Sequence, residues 1–120
     1  MSEKKYTWHK IADLENELPF AGNNMLVTEI KGKKITIARH NGSLFAFAYK
    51  CPHAGGIMSG GYIDPAGNVV CPLHRYKFSM SNGRNTSGEG FYLKTWPVKV
   101  GEQGVFVGME ESSGFWGIFR

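Results

Sequence analysis

The chain has 120 residues and a mass of 13.3 kDa, the size of one domain, which leaves no room for a catalytic domain beside a binding domain. An apolar fraction of 42% against a charged fraction of 20% excludes a disordered chain. The net charge of +4 is spread along the sequence with no basic run longer than two, which argues against nucleic-acid binding, and no apolar stretch approaches the roughly 18–20 residues of a membrane span.

Strand signals dominate from the start. Residues 1–5 lead into Tyr6–Lys10 with no apolar leader core, so the cytoplasm is the expected compartment. Tyr6–Lys10 reads as a first strand, and Ala12–Asn16 as a helical turn stopped before Pro19. Met25–Ile30 and Lys34–Arg39 read as a hairpin about Gly32. Asn41-Gly42 marks a second tight turn, and Ser43–Ala48 follows as a third strand. Residues 49–90 are rich in glycine and proline and leave room only for short strands at Tyr62-Ile63, Asn68–Val70 and Tyr76–Ser79. Phe91–Val100 reads as one long strand, and Val105–Gly108 pairs back after the turn Glu102–Gly104. The fold class expected is all-β: a small antiparallel barrel or sandwich with a Gly-rich insertion. The whole chain, 1–120, is one domain, with a basal part at about 1–48 and 91–108, the insertion at about 49–90, and an apolar tail at 109–120.

The chemistry lies in that insertion. Cys51-Pro52-His53 is C-x-H, Cys71-Pro72-Leu73-His74 is C-x-x-H, and residues 54–70 separate them. With 4 histidines in 120 residues, chance would give both cysteines such a partner roughly once in a thousand sequences. Thiolate and imidazole both bind iron and zinc. Two loops, each offering one sulfur and one nitrogen, suit a [2Fe–2S] cluster with both cysteines on one iron and both histidines on the other. Pro52 and Pro72 stiffen the loops, while Gly55 and Gly56 let backbone approach the cluster. A structural zinc in a Cys₂His₂ site, making the chain a zinc-stabilised interaction module, uses the same donors. Taken singly, each cysteine reads as a buried thiol with no ligand role, but the paired histidine spacing argues against that reading. His9 and His40 read as surface or turn residues, and Trp8 and Trp96 as core or half-buried.

At these residues the sequence resembles the Rieske [2Fe–2S] family, whose signature is C-x-H followed by C-x-x-H across a spacer of similar length. The resemblance implies that Cys51, His53, Cys71 and His74 are the cluster ligands, with one cluster per chain. Neutral imidazoles leave more positive charge on their iron, so that iron is the one reduced, and it sits nearest the surface. The chain is similar in length to soluble Rieske ferredoxins that feed oxygenases and to the small subunit of assimilatory nitrite reductases. The implied function is one-electron transfer with no catalytic chemistry of its own. The implied partners are a flavoprotein reductase and a terminal oxygenase, or alternatively a nitrite reductase large subunit; no nucleic acid or membrane is implied. High-potential members of the family carry two further cysteines, where this chain has Gly56 and Leu73. They also place Ser and Tyr where it has Tyr76 and Phe78. Arg75 replaces a common glycine, and Thr86–Gly90 stands where a proline-containing cover loop is expected. Lys50, Arg75 and Lys77 flank the ligand motifs and are candidates for a docking rim.

Overall fold

The computed structural model describes residues 5–110. Among these residues ten strands, all paired antiparallel, form three sheets. The middle sheet contains β2 (Met25–Ile30), β3 (Lys33–His40), β4 (Ser43–Ala48) and β8 (Thr95–Trp96), hydrogen-bonded in that order. Two-residue loops join its first three strands. Lys31-Gly32 and Asn41-Gly42 have positive φ at both positions, the geometry whose twist matches flanking strands.

Ile35, Thr36, Ile37 and Ala38 of β3 are all buried, because this sheet is covered on both faces. On one face Ile35, Ile37 and Ala46 pack with Ile30, Trp96 and Val107. Val107 belongs to the second sheet, in which β10 (Gly104–Glu110) lies between β1 (Tyr6–Ala12) and β9 (Val98–Gly101). On the opposite face Met25, Ala38 and Phe47 pack against the insertion, through Met58, Val69, Phe78 and Met80, and with Leu93 just beyond it. Cys51 and Cys71 belong to this same core. The insertion contributes the third sheet, β5 (Tyr62–Ile63), β6 (Asn68–Val70) and β7 (Lys77–Ser79), in chain order. Asn23 ties the basal strands to it by donating from Nδ2 to the carbonyls of Ser59 and Gly61 at 2.8 and 3.1 Å.

Several expected boundaries move. The long strand over Phe91–Val100 is two strands in different sheets: Thr95-Trp96 pairs with β4, and Val98–Gly101 pairs with β10. Pro97 stands at the corner, with no N–H to continue a ladder, and its carbonyl accepts from Gly108 N–H at 2.9 Å. The helical turn is a single 3-10 turn at Glu15–Glu17, since Ala12 completes β1 after an irregularity in pairing at Ile11. A second 3-10 turn, Met58–Gly60, has no counterpart among the expected elements; Met58 is its buried anchor. Val105–Gly108 lengthens to Gly104–Glu110 and pairs on both sides. The apolar tail lies outside the described residues, apart from Met109 and Glu110 in β10. No helix among the described residues is long and apolar enough to cross a membrane.

Candidate metal centre

Two loops at the free end of the third sheet carry the four chemical residues, and their backbones repeat one pattern. Cys51 N–H donates to the Gly56 carbonyl at 2.8 Å, and Gly55 N–H donates to the Cys51 carbonyl at 3.0 Å. In the second loop Cys71 N–H donates to the Tyr76 carbonyl at 2.9 Å, and Arg75 N–H to the Cys71 carbonyl at 3.0 Å. The fourth residue after each cysteine is left-handed: Gly55 at φ +76° and Arg75 at φ +61°. Glycine takes this conformation freely, whereas an L side chain incurs about 1 kcal/mol or more. Arg75→Gly is therefore expected to stabilise the second loop by roughly 0.5–1 kcal/mol. Chemical denaturation would show a higher midpoint at unchanged slope, and a lower midpoint would contradict the shared loop geometry.

These loops bury the sulfurs and expose the nitrogens. Cys51 and Cys71 are 3% and 1% exposed, whereas His53 is half-buried and His74 exposed. Burial pushes the Cys51 thiol above its ordinary pKa; the His53 and Ala54 amides oppose this by hydrogen-bonding to the sulfur, while the neighbouring Cys71 raises it further. A thiol in this setting is inert until a metal displaces its proton. At the outer end the Nδ1 atoms of His53 and His74 stand 3.3 Å apart. Two nitrogens bound at about 2.1 Å to one tetrahedral metal would stand about 3.4 Å apart.

Among the described residues no three His, Cys, Asp or Glu side chains converge on one point. The two sulfurs lie buried while the two ring nitrogens meet 3.3 Å apart at the outer end, a separation by depth that suits two metals with two donors each. The interior has no slack either. A Cβ on Gly56 would lie 2.9 Å from Leu73 Cγ and 3.2 Å from Cys71 Sγ, so a side chain there would intrude on the sulfur. The donors and the space thus fit a [2Fe–2S] cluster.

Aromatic rings that the ligand motifs do not announce surround the histidines. Tyr76 stacks on His53 with centroids 4.3 Å apart, and Phe91 lies 5.1 Å from the same ring. Tyr76 follows the second motif closely in sequence. Phe91 has no such signal, since it reads as the start of a strand. Segment 85–91 reaches the site through Asn85, which bridges to Phe78, and through Thr86 N–H, which donates to the Lys77 carbonyl at 2.8 Å. The expected cover over Thr86–Gly90 therefore lies beside the histidine end without a proline.

The other expected residues divide. His40 ends β3, remote in the chain from either ligand loop, with its ring facing Gly67. His9 is half-buried in β1 and not a surface residue; its Nε2 is buried without a hydrogen-bond partner. Lys50 and Arg75 are exposed, but Lys77 is half-buried and its ammonium lies 3.6 Å from Asp64, which weakens its place in a docking rim.

A three-sheet antiparallel β domain with two Cys/His loops at one end defines an iron–sulfur protein class, and comparison with known proteins agrees. The family model for the Rieske [2Fe-2S] domain matches residues 7–97. The chain belongs to the Rieske [2Fe–2S] family, and its cofactor is a [2Fe–2S] cluster. It is 30% identical to the 3-phenylpropionate/cinnamic acid dioxygenase ferredoxin subunit of Photorhabdus laumondii, over 64% of this chain and 74% of that one. Its fold resembles the ferredoxin of carbazole 1,9a-dioxygenase from Nocardioides aromaticivorans, with a TM-score of 0.71, 19% identity, and coverage of 88% of this chain and 99% of that one. A protein described as the NADH-dependent nitrite reductase small subunit of Mycobacterium tuberculosis has a TM-score of 0.72 at 18% identity, covering 90% of this chain and 97% of that one. At such identities the two structures speak to the fold alone.

Proposed function

We propose that the chain is a one-electron carrier in which Cys51 and Cys71 hold one iron of the cluster and His53 and His74 the other. It takes electrons from a flavoprotein reductase and delivers them to a terminal oxygenase. The observation that carries this reading is the pairing of donors by depth: two buried thiols beneath two imidazoles whose Nδ1 atoms meet at 3.3 Å near the surface. The cluster supplies reversible one-electron chemistry at low reorganisation cost. The residues supply the rest. Buried thiols keep solvent from the sulfur end, His74 opens a short path to a partner, and Tyr76 and Phe91 hold the His53 ring in place. Residues of about 49–90 form the cluster-carrying part and the remainder is its base. The likeness to a dioxygenase ferredoxin favours an oxygenase system over a nitrite reductase. We place the protein in the cytoplasm, a reading that its likeness to a dioxygenase ferredoxin subunit supports.

Transfer to the oxygenase should slow as salt is added, because exposed Lys50 and Arg75 adjoin Cys51 and His74 in the two loops. Charge reversal at both is expected to lower the association rate about threefold to tenfold in stopped-flow mixing at low salt. Rates that ignore both salt and charge reversal would reject this docking face. The midpoint potential is expected near the low end of the Rieske range, roughly −150 to 0 mV. Phe78 has no hydroxyl to offer a ligand sulfur and lies wholly in the core, and Tyr76 is committed to stacking on His53. Fewer donors to sulfur leave the reduced cluster less stabilised. Protein-film voltammetry giving a midpoint above about +150 mV would contradict this.

A further inference from the structure

The loop beside the histidine end contains a carboxylate held more firmly than its exposure requires. Glu89 Oε1 accepts from Ser87 Oγ at 2.5 Å and from Asn85 Nδ2 at 2.9 Å. Asn85 also turns the backbone: its Oδ1 accepts the N–H groups of Glu89 at 2.5 Å and Gly90 at 2.7 Å. The assembly is pinned to β7, where Lys77 N–H donates to Ser87 Oγ at 2.8 Å and the Lys77 carbonyl accepts from Asn85 Nδ2 at 3.0 Å. Two residues beyond Glu89, Phe91 packs against the His53 ring. The carboxyl is held below its ordinary pKa by hydrogen bonds from Ser87 and Asn85. Lys77, the residue to which the loop is pinned, has its ammonium 3.6 Å from Asp64 and is not paired with Glu89.

An exposed charge contributes little to stability, so stability does not explain a carboxylate fixed this way. A permanent negative charge close to a redox centre has a different consequence. Reduction adds negative charge there, and a fixed anion disfavours it by Coulomb repulsion that solvent weakens but does not remove. We infer that Glu89, anchored by Asn85 and Ser87 in the loop that sets Phe91 against His53, is a positioned anion that holds down the reduction potential of the cluster. This rests on the proposed ligation by His53.

The test is protein-film voltammetry on the cluster-loaded protein and its variants. Glu89→Gln keeps the hydrogen-bonding shape and removes the charge. It is expected to shift the equilibrium about threefold toward the reduced form, a rise of about 28 mV at 59 mV per decade. Glu89→Asp keeps the charge and should remain within half of that shift. Glu102→Gln removes the same charge at the β9–β10 turn and is expected to leave the midpoint unmoved. Visible and electron spin resonance spectra are recorded on every sample. Wild-type protein without a Rieske-type spectrum would overturn the ligation reading and this inference with it. A loaded Glu89→Gln protein with the wild-type midpoint, or a Glu102→Gln protein that shifts as far, would overturn this inference alone. Should Glu89→Gln fail to load, Ser87→Ala, which loosens the carboxylate and keeps its charge, provides the second arm: a midpoint raised toward the oxidising side supports the inference, and an unchanged one overturns it.

Discussion

Cys51→Ser and His74→Ala are each expected to abolish cluster assembly, giving colourless protein without iron, whereas His9→Ala and His40→Ala remain coloured. The contrast follows from placement. His53 and His74 meet at 3.3 Å, while His9 lies in β1 of another sheet and His40 at the far end of β3. The basal fold should survive ligand loss, because the core of Ile30, Ile35, Ile37, Ala46, Trp96 and Val107 contains neither cysteine. The second core includes both, so the ligand loops should loosen, with metal affinity appearing partly as local folding energy. Amide hydrogen exchange would show faster exchange confined to about residues 49–90. A full Rieske-type visible spectrum from His74→Ala would show that the ligand assignment is wrong.

Gly61→Ala is expected to destabilise the domain by roughly 2–4 kcal/mol, a large part of the 5–15 kcal/mol of a typical domain. A Cβ there would lie 1.9 Å from the carbonyl oxygen of Val70, the residue before the candidate ligand Cys71. Backbone cannot yield as a flexible side-chain tip does, so β5 and β6 must separate. Gly60→Ala is the control one residue away: its Cβ would meet only Pro72 Cγ at 3.8 Å, an ordinary contact. Thermal unfolding of the loaded protein should show a fall of about 8–16 °C for Gly61→Ala. Gly60→Ala should cost a degree or two. Equal losses in the two would refute the close approach of Gly61 to Val70.

The candidate ligands stood out in the sequence because metal binding by such a set imposes short, local spacings, and the structure puts each cysteine and its histidine on one loop. The strands of the middle sheet were equally legible, since Asn41-Gly42 and the turn at Gly32 mark their ends. What remained hidden depends on packing between distant segments. Phe91 looks like any β-forming aromatic until Asn85 and Ser87 draw its loop against β7 and set its ring beside His53. Trp96 and Val98 look like one strand until the sheets on either side of Pro97 claim them separately. Arg75 was visible as a departure from glycine, but its left-handed backbone emerges only from comparison with the matching position of the first loop, Gly55.

The central claim is that four side chains in two loops hold a [2Fe–2S] cluster through two sulfurs and two nitrogens. Metal and acid-labile sulfide analysis, combined with electron spin resonance of anaerobically purified and reduced protein, tests it most directly. The account predicts about two irons and two sulfides per chain and a reduced-state signal carrying nitrogen hyperfine coupling from two histidines. Stoichiometric zinc without sulfide, or a reduced cluster with no nitrogen coupling, would contradict it.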